Sequence, residues 1–543
     1  MNLLGLYRNL YAGWRRVIVA ILLTLALVGA GYAFLPADHT LGVKTEDLPF
    51  YSLPFGKNPF APGEWKTPDG KLVNWRGVPS ARACAECHRQ EFMEWNTSLH
   101  AVSDLDLIYD AAVTRNAGRA HAAAGIGDQK GRWCESCHNP LGTLTGAVNP
   151  IMAIQETEAI EEGVNCIVCH TASHPEPLAG NGALTSNING IFRHLNPGLI
   201  MAAPSRHARD MQARRDFPHM GESGLCGACH TEIRPTEVNG QHRLDFQTTF
   251  EEWKKSDFPA KGVHCQDCHM ARDPGAFITA LKRGEKPPRG VSHRLVGGNY
   301  LLTNPHLPND LVTTLRGGPP TGINRFFNRA EYKRELGSTH KQVEGLLKAA
   351  ADLQVEIRPG KEDKLEVGVL VSNTGAGHAL PTGPLDQRHM WLEVKVLDAT
   401  GKAVFHSGAF DARTGRIDPG AAMWVKRMED KGGKLDLRHT LFDVEKLYYP
   451  RKPIPAGKTQ RVDYTVRPPA GAAGPYRVEA RLWYRIAFEE ILENIKEEEM
   501  GDFSGIVIPP LMLAEAETGA QSAAQTVTPS NQVARAGAER KLP

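Results

Sequence analysis

The chain has 543 residues, room for two to four domains at roughly 150 residues each. Its 63 Lys+Arg against 61 Asp+Glu leave a formal charge of only +2, so bulk charge excludes a nucleic-acid binder and favours no strongly charged partner.

Arg15 and Arg16 are followed by an uncharged run from Val17 to Leu35. A signal peptide carries an apolar core of about 7–15 residues, whereas about 20 residues span a bilayer. We therefore expect residues 1–36 to be a cytoplasmic stub and a transmembrane helix. Arg8, Arg15 and Arg16 precede the span and Asp38, Glu46 and Asp47 follow it, which puts the N-terminus inside and the bulk of the chain in the periplasm. The alternative is cleavage after Ala33, at the end of "GYA". Residues 37–79 hold most of seven prolines between Pro36 and Pro79 and read as an extended arm over a surface.

All ten cysteines fall into five copies of one pattern. These are Cys84-x-x-Cys87-His88, Cys134-x-x-Cys137-His138, Cys166-x-x-Cys169-His170, Cys226-x-x-Cys229-His230 and Cys265-x-x-Cys268-His269. In covalent haem attachment each cysteine takes one vinyl arm of the porphyrin, and the next histidine lies beneath the iron. Zinc sites would pair cysteines about 15–20 residues apart, or place a finger-like histidine pair downstream. Here 28 to 56 residues separate successive pairs, and zinc gives no reason for a histidine after every second cysteine. The two-residue gap is equally wrong for structural disulfides. We read residues 80–350 as a pentahaem c-type domain, mostly α-helical or irregular, with five covalent haems, thioethers at the ten cysteines and proximal histidines at the five motifs. Attachment of this kind takes place outside the bacterial cytoplasm, which agrees with export.

Sixteen further histidines could fill the sixth positions. "SLHA" and "SRHA" share Ser-x-His-Ala, which favours His100 and His207. His121, His174, His194, His219 and His242 are weaker candidates. "FMEWNTS" (residues 92–98) and "FEEWKKS" (residues 250–256) share Phe-x-Glu-Trp-x-x-Ser beside haem motifs, which suggests a duplicated haem-binding unit. Trp95, Trp133 and Trp253 are expected against porphyrin edges.

The apolar face of "RAEYKRELGSTHKQVEGLLKAAADL" predicts a helix carrying Leu336, Val343, Leu346, Leu347 and Ala350. The period then changes to two. "LQVEI", "KLEVGVLVSN", "MWLEVKVLDATGKAVFHSG", "QRVDYTVRPP" and "YRVEARLWYRIAF", broken by Gly/Pro turns, predict an antiparallel, Ig-like β-sandwich of roughly seven to eight strands over 351–490. His378, glycine-flanked in "GAGHALPTG", could reach a haem across the domain boundary or could be a buried turn histidine. Residues 491–543 are read as a tail, disordered at the end.

"SARACAECHRQEFMEWNTSLHA" and "GLCGACH…TTFEEWKKSDFPAKGVHCQDCHM…HRLVGGN" resemble bacterial multihaem cytochromes c related to hydroxylamine oxidoreductase and to the tetrahaem cytochrome of ammonia oxidation. "VSNTGAGHALPTG" resembles the β-domain of some members. The resemblance implies that a histidine before Gly-Gly-Asn ligates a haem, which adds His293 to the distal candidates. The sequence has no Cys-x-x-Cys-Lys attachment of the nitrite-reductase type. The expected function is a membrane-anchored carrier relaying electrons between redox proteins of the membrane and the periplasm. The rival is an oxidoreductase acting on a small nitrogen or sulfur compound at one five-coordinate haem. A scaffold with structural haems is the third reading. None of the three involves nucleic acid.

Overall fold

The computed structural model describes residues 18–19, 58–74, 78–124, 132–147, 158–188, 201–215, 218–234, 243–307, 309–315, 325–503 and 505–518. The expected span Val17–Leu35 lies outside them apart from helical Ile18 and Val19. Among the described residues no helix is long and apolar enough to cross a membrane.

Short helices carry the attachment motifs. They are α1 (Ala81–Ala85), α4 (Arg132–His138), α5 (Cys166–Thr171), α7 (Ser223–Gly227) and α9 (Cys265–His269). Between them stand α2 (Arg89–Trp95), α3 (Leu107–Ala124), α6 (Pro204–Arg215) and α8 (Thr249–Lys254). The apolar residues around them form several small clusters rather than one core, as expected where porphyrins fill the space between helices.

The long helix α10 (Arg329–Ala350) starts at a capping box. The Asn328 side chain accepts from the Glu331 amide while the Glu331 carboxylate accepts from the Asn328 amide. These bonds satisfy donors that the first turn leaves unpaired. Val343, Leu346 and Ala350 of the expected face are buried, together with Thr339 and His340.

The chain passes directly from α10 into β1 (Ala351–Pro359), which pairs antiparallel with β2 (Leu365–Asn373) in the register Leu353↔Val371. β3 (His389–Leu397), β4 (Ala403–Ser407), β5 (Ala422–Trp424), β6 (Arg427–Asp430), β7 (Leu435–Asp436), β8 (Val444–Tyr448), β9 (Thr459–Val466) and β10 (Arg477–Arg485) follow. One sheet has the order β9-β2-β1. The second runs β11-β10-β3-β4, with β5 also on β3 and β11 spanning Leu511–Glu517. Val355, Val369 and Val371 of the first sheet and Leu392, Val394 and Leu482 of the second share one buried core. Full burial of such side chains stabilises by roughly 1.5–3 kcal/mol each, which holds the two sheets face to face. β6, β7 and β8 form a small third sheet whose Met428 and Val444 pack on Trp133.

Two expectations need correcting. The stretch 58–74 is not an arm over a surface. Phe60, Trp65, Leu72 and Val73 are buried with Leu141, Leu144 and Ile167, and the Trp65 indole donates to the Ser136 carbonyl at 2.6 Å. The chain turns at residues 59–62 and again at 68–69, and the apolar residues between the prolines set where it docks. Nor does ordered structure stop at 490. α11 (Glu489–Glu497) buries Ile491, Leu492 and Ile495, in a cluster shared with Ala111 of α3. β11 pairs with β10 in the register Leu482↔Ala514. The alternating pattern of "LMLAEAE" is too short and Ala-rich to stand out until β10 supplies its partner.

Candidate functional site

Among the described residues, three of the five motif histidines face a second histidine. His230 stands 6.2 Å from His100, ring centre to ring centre, His170 stands 6.5 Å from His293, and His269 stands 6.2 Å from His378. Imidazole nitrogen lies about 2 Å from a bound metal and about 1 Å from its own ring centre, so two imidazoles on opposite faces of one iron have centres about 6 Å apart. The spacing fits a haem iron between each pair. Planes are 22° apart at His170–His293 and 18° at His269–His378, but 57° at His100–His230.

The protonation pattern fits the same use. Burial pushes His100, His138 and His170 down to about 4 and His230 to about 3, and lowers His269 and His293 as well. Neutral imidazole is the form that binds metal. His269 Nδ1 donates to the Val296 carbonyl at 2.6 Å, His138 Nδ1 to the Ser103 carbonyl at 3.0 Å and His378 Nδ1 to the Ala379 carbonyl at 2.8 Å. A carbonyl can only accept, so Nε2 of each ring keeps its lone pair for a metal. Two loops act twice. The one bearing His293 also offers Val296 to His269, and the turn bearing His100 also offers Ser103 to His138.

Cysteine sulfurs of different motifs lie close together. They stand where the thioether sulfurs of attached haems would be. Cys84 lies close enough to Cys166, and Cys226 to Cys265, for each to shift the other's thiol pKa, and Cys137 Sγ donates to the Cys229 carbonyl at 3.8 Å. Porphyrin edges attached at these atoms are close neighbours. These neighbours join the first motif to the third, the fourth to the fifth and the second to the fourth, and the interaction of Cys169 with Cys226 and Cys229 joins the third to the fourth. Coulombic coupling of His170 with His88, and of His230 with His269 and His138, follows the same map. Among the described residues no group of three or more His, Cys, Asp or Glu side chains is placed to hold a metal ion alone, so the cysteine pairs do not combine into zinc-type clusters.

The second motif differs. Tyr109 stacks on the face of the His138 ring at 4.0 Å with planes 4° apart, a contact that fixes the ring plane without occupying the in-plane direction from which a ring nitrogen binds a metal. Beside it opens a cavity whose lining includes Cys134, Cys137, His138, Asp106, Arg388 and His439. His439, with a left-handed φ of 58°, binds Asp386 Oδ2 through Nδ1 at 2.6 Å. Nothing in the sequence around His439 or Asp386 marks either residue, because they meet the second motif only through folding of the small third sheet.

The remaining candidates are placed as follows. His207 is half-buried on α6, which packs against α5, whereas His100 sits on a 3-10 turn, Leu99–Val102. The Ser-x-His-Ala echo therefore has no common backbone. His219 Nε2 donates to the Ala172 carbonyl at 2.7 Å, and His174 Nδ1 lies 3.0 Å from Ser173 Oγ. Neither is drawn by these bonds to a motif histidine. His121 is on α3, and His194 and His242 lie outside the described residues. Trp95 and Trp253 bond to carbonyls of Val164 and Val263, and Trp133 packs against Phe246 and Phe442.

Residues 83–171, which take in the first three motifs, match the family model described as Cytochrome c554 and c-prime. Together with the repeated attachment motif, this makes the chain a multihaem c-type cytochrome carrying covalently bound haem c. No curated protein matches the chain. A penta-heme cytochrome c552 from Thermochromatium tepidum is similar over 81% of this chain and 99% of that one, at 20% sequence identity and a TM-score of 0.47.

Proposed function

We propose that the chain is an electron relay carrying five haems, one at each motif, with His100, His293 and His378 as second ligands of the haems on His230, His170 and His269. Imidazole on both faces keeps the iron low-spin and closed to substrate, and lowers its potential. The observation that carries the reading is the spacing of the three histidine pairs, 6.2, 6.5 and 6.2 Å. His207 is the candidate for the haem on His88, because α6 packs on α5 and Cys166 of α5 lies beside Cys84. The wider kinship with hydroxylamine oxidoreductase, and an Ig-like reading of the β9-β2-β1 and β11-β10-β3-β4 sheets, belong to the same proposal.

The relay is anchored by the Val17–Leu35 span in the bacterial cytoplasmic membrane. It faces the periplasm and exchanges electrons with redox proteins of the membrane and the periplasm. N-terminal sequencing of the membrane fraction tests the anchor, and a soluble product starting near Phe34 refutes it.

A second reading is favoured by the cavity beside His138. The cavity places Asp106, Arg388 and His439 beside the Cys134–Cys137–His138 motif, where a haem with an open sixth position would take a small nitrogen or sulfur compound. Carbon monoxide titration of the reduced native protein separates the readings. A relay with every iron six-coordinate binds little, whereas one equivalent bound per chain makes this haem a site of chemistry.

A further inference from the structure

The Phe-x-Glu-Trp echo is a structural duplication, and its glutamate has a use in both copies. In the first copy, Phe92 and Trp95 of α2 stand 5.7 Å apart at 36°, and in the second, Phe250 and Trp253 of α8 stand 5.5 Å apart at 38°. The Trp95 indole donates to the Val164 carbonyl at 2.9 Å and the Trp253 indole to the Val263 carbonyl at 3.1 Å. Each valine follows a glycine in the left-handed region, Gly163 at φ 59° and Gly262 at φ 64°. Each also precedes an attachment helix by the same step, "GVNC" and "GVHC". The first cysteines of the two motifs in each copy are neighbours that shift each other's thiol pKa, Cys84 with Cys166 and Cys226 with Cys265. A shared string this short carries little weight alone, but the same bonds at the same positions do not arise by coincidence.

The glutamates complete the match. Glu94 Oε1 accepts from the Gln90 amide at 3.1 Å, and Glu252 Oε1 accepts from the Thr248 hydroxyl at 2.9 Å, in each case from four residues earlier. Glu94 Oε1 also pairs with Arg294 at 3.2 Å, and the second oxygen of each glutamate reaches beyond its own helix. Glu94 Oε2 accepts the backbone N–H of His293 at 2.8 Å. Glu252 Oε2 accepts the backbone N–H of Ala379 at 3.2 Å and the Thr382 hydroxyl at 2.6 Å. His293 faces His170, and His378, next to Ala379, faces His269, in the two pairs with nearly parallel rings.

We propose that Glu94 and Glu252 are equivalent positioning residues, each holding the backbone that presents a second imidazole to the last haem of its unit. In the first copy the held loop belongs to the haem region. In the second it lies between β2 and β3, where the Asn373 amide of β2 donates to the His378 carbonyl at 2.8 Å. On this proposal the two-sheet domain closes the fifth haem, through a grip that the first copy makes on a loop of the haem region. A carboxylate fixed at one oxygen and gripping with the other leaves the loop little freedom, and a displacement of about 1 Å at a ligand is enough to lose a metal bond.

The inference rests on His293 and His378 being second ligands, and its test is made on full-length holoprotein. Glu252→Asp keeps the charge but withdraws the oxygen by one methylene, and Glu252→Gln keeps an oxygen able to accept from Ala379. E252D should gain one equivalent of carbon monoxide binding per reduced chain and a high-spin signal from one haem in five when oxidised. E252Q should stay close to native, and both should retain five thioether-linked haems by mass spectrometry. Glu94→Asp should open a different haem, and the E94D and E252D effects should add. An E252D protein with native spin state and carbon monoxide uptake overturns the proposal, as does an E252Q protein opened as far as E252D. His378→Ala separates this from the ligand assignment. If H378A opens nothing, the assignment itself fails; if H378A opens a haem and E252D does not, only the positioning role fails.

Discussion

The imidazoles of His269 and His378 lie 6.2 Å apart with their planes 18° from parallel, although one belongs to an attachment motif and the other to a turn between strands of the sheet domain. On the proposed ligand set, the sheet domain contributes a ligand to the redox centre. It also reaches the second motif, where the third sheet packs on Trp133, and the segment after the fourth motif, where the Arg234 guanidinium donates to the carbonyls of Leu441 and Val444.

Replacing His378 with Ala should leave the thioethers at Cys265 and Cys268 intact and convert one haem of five from low to high spin. The fifth haem should gain affinity for carbon monoxide and rise in potential, because one imidazole donor is lost. Electron paramagnetic resonance of the oxidised protein and mass spectrometry of the haem peptides check the two halves. A native spectrum in this variant removes His378 as a ligand.

His100→Ala and His293→Ala should each open one haem, on Cys226/Cys229 and on Cys166/Cys169 respectively, and the two effects should add because the pairs share no histidine. His207→Ala should open the haem on Cys84 and Cys87. If that variant keeps all its low-spin signal, the second ligand of His88 lies elsewhere, and the Ser-x-His-Ala echo carries no ligand information at its second occurrence.

Trp65 is fully buried in the segment whose prolines suggest an arm. Trp65→Ala should cost about 3–5 kcal/mol of stability, and it also removes the donor to the Ser136 carbonyl on α4. Denaturant midpoints followed in the haem absorbance provide the measurement. A cost below about 1 kcal/mol would mean that the segment is not part of the core.

The His439–Asp386 pair sets a pH dependence. Burial disfavours the His439 imidazolium, but the charge and hydrogen bond of Asp386, with Glu232 and Asp436, push it up to about 9 from an ordinary 6.5. The nearby cationic group Lys426 acts on Asp386 and Glu232, and His138 faces the same cavity. A raised pKa means that the folded protein holds the proton more tightly than the unfolded chain. The stabilisation is then complete below pH 6.5 and is lost as the pH climbs through about 9. The stability gap between native protein and His439→Gln should be wide at about pH 6 and closed at about pH 10. A gap independent of pH would show that His439 is not protonated there.

Covalent attachment was legible in the sequence because its chemistry is local. Two vinyl arms and one iron require Cys-x-x-Cys-His within a single helical turn, and Cys265, Cys268 and His269 satisfy this without help from any other part of the chain. The strands were legible for a similar reason: alternation in "MWLEVKVL" follows from one face being buried. Second ligands are not local. A distal histidine needs only to arrive on the far face of a ring, from any distance along the chain, so "SRHA" and "SLHA" look alike while one forms part of a helix and the other a turn. His378 and His439 reach the haem region only once the sheets have packed. Glu94 and Glu252 are ordinary helical glutamates until their outer oxygens meet the amides of His293 and Ala379. The segment around Trp65 and the strand β11 were misread for the same cause, since an isolated tryptophan among prolines and an Ala-rich heptapeptide gain their structure from partners far away in the sequence. The sequence by itself determined where the Cys-x-x-Cys-His attachment motifs stand, because that chemistry is local, and the tertiary structure alone decided which side chains face their histidines.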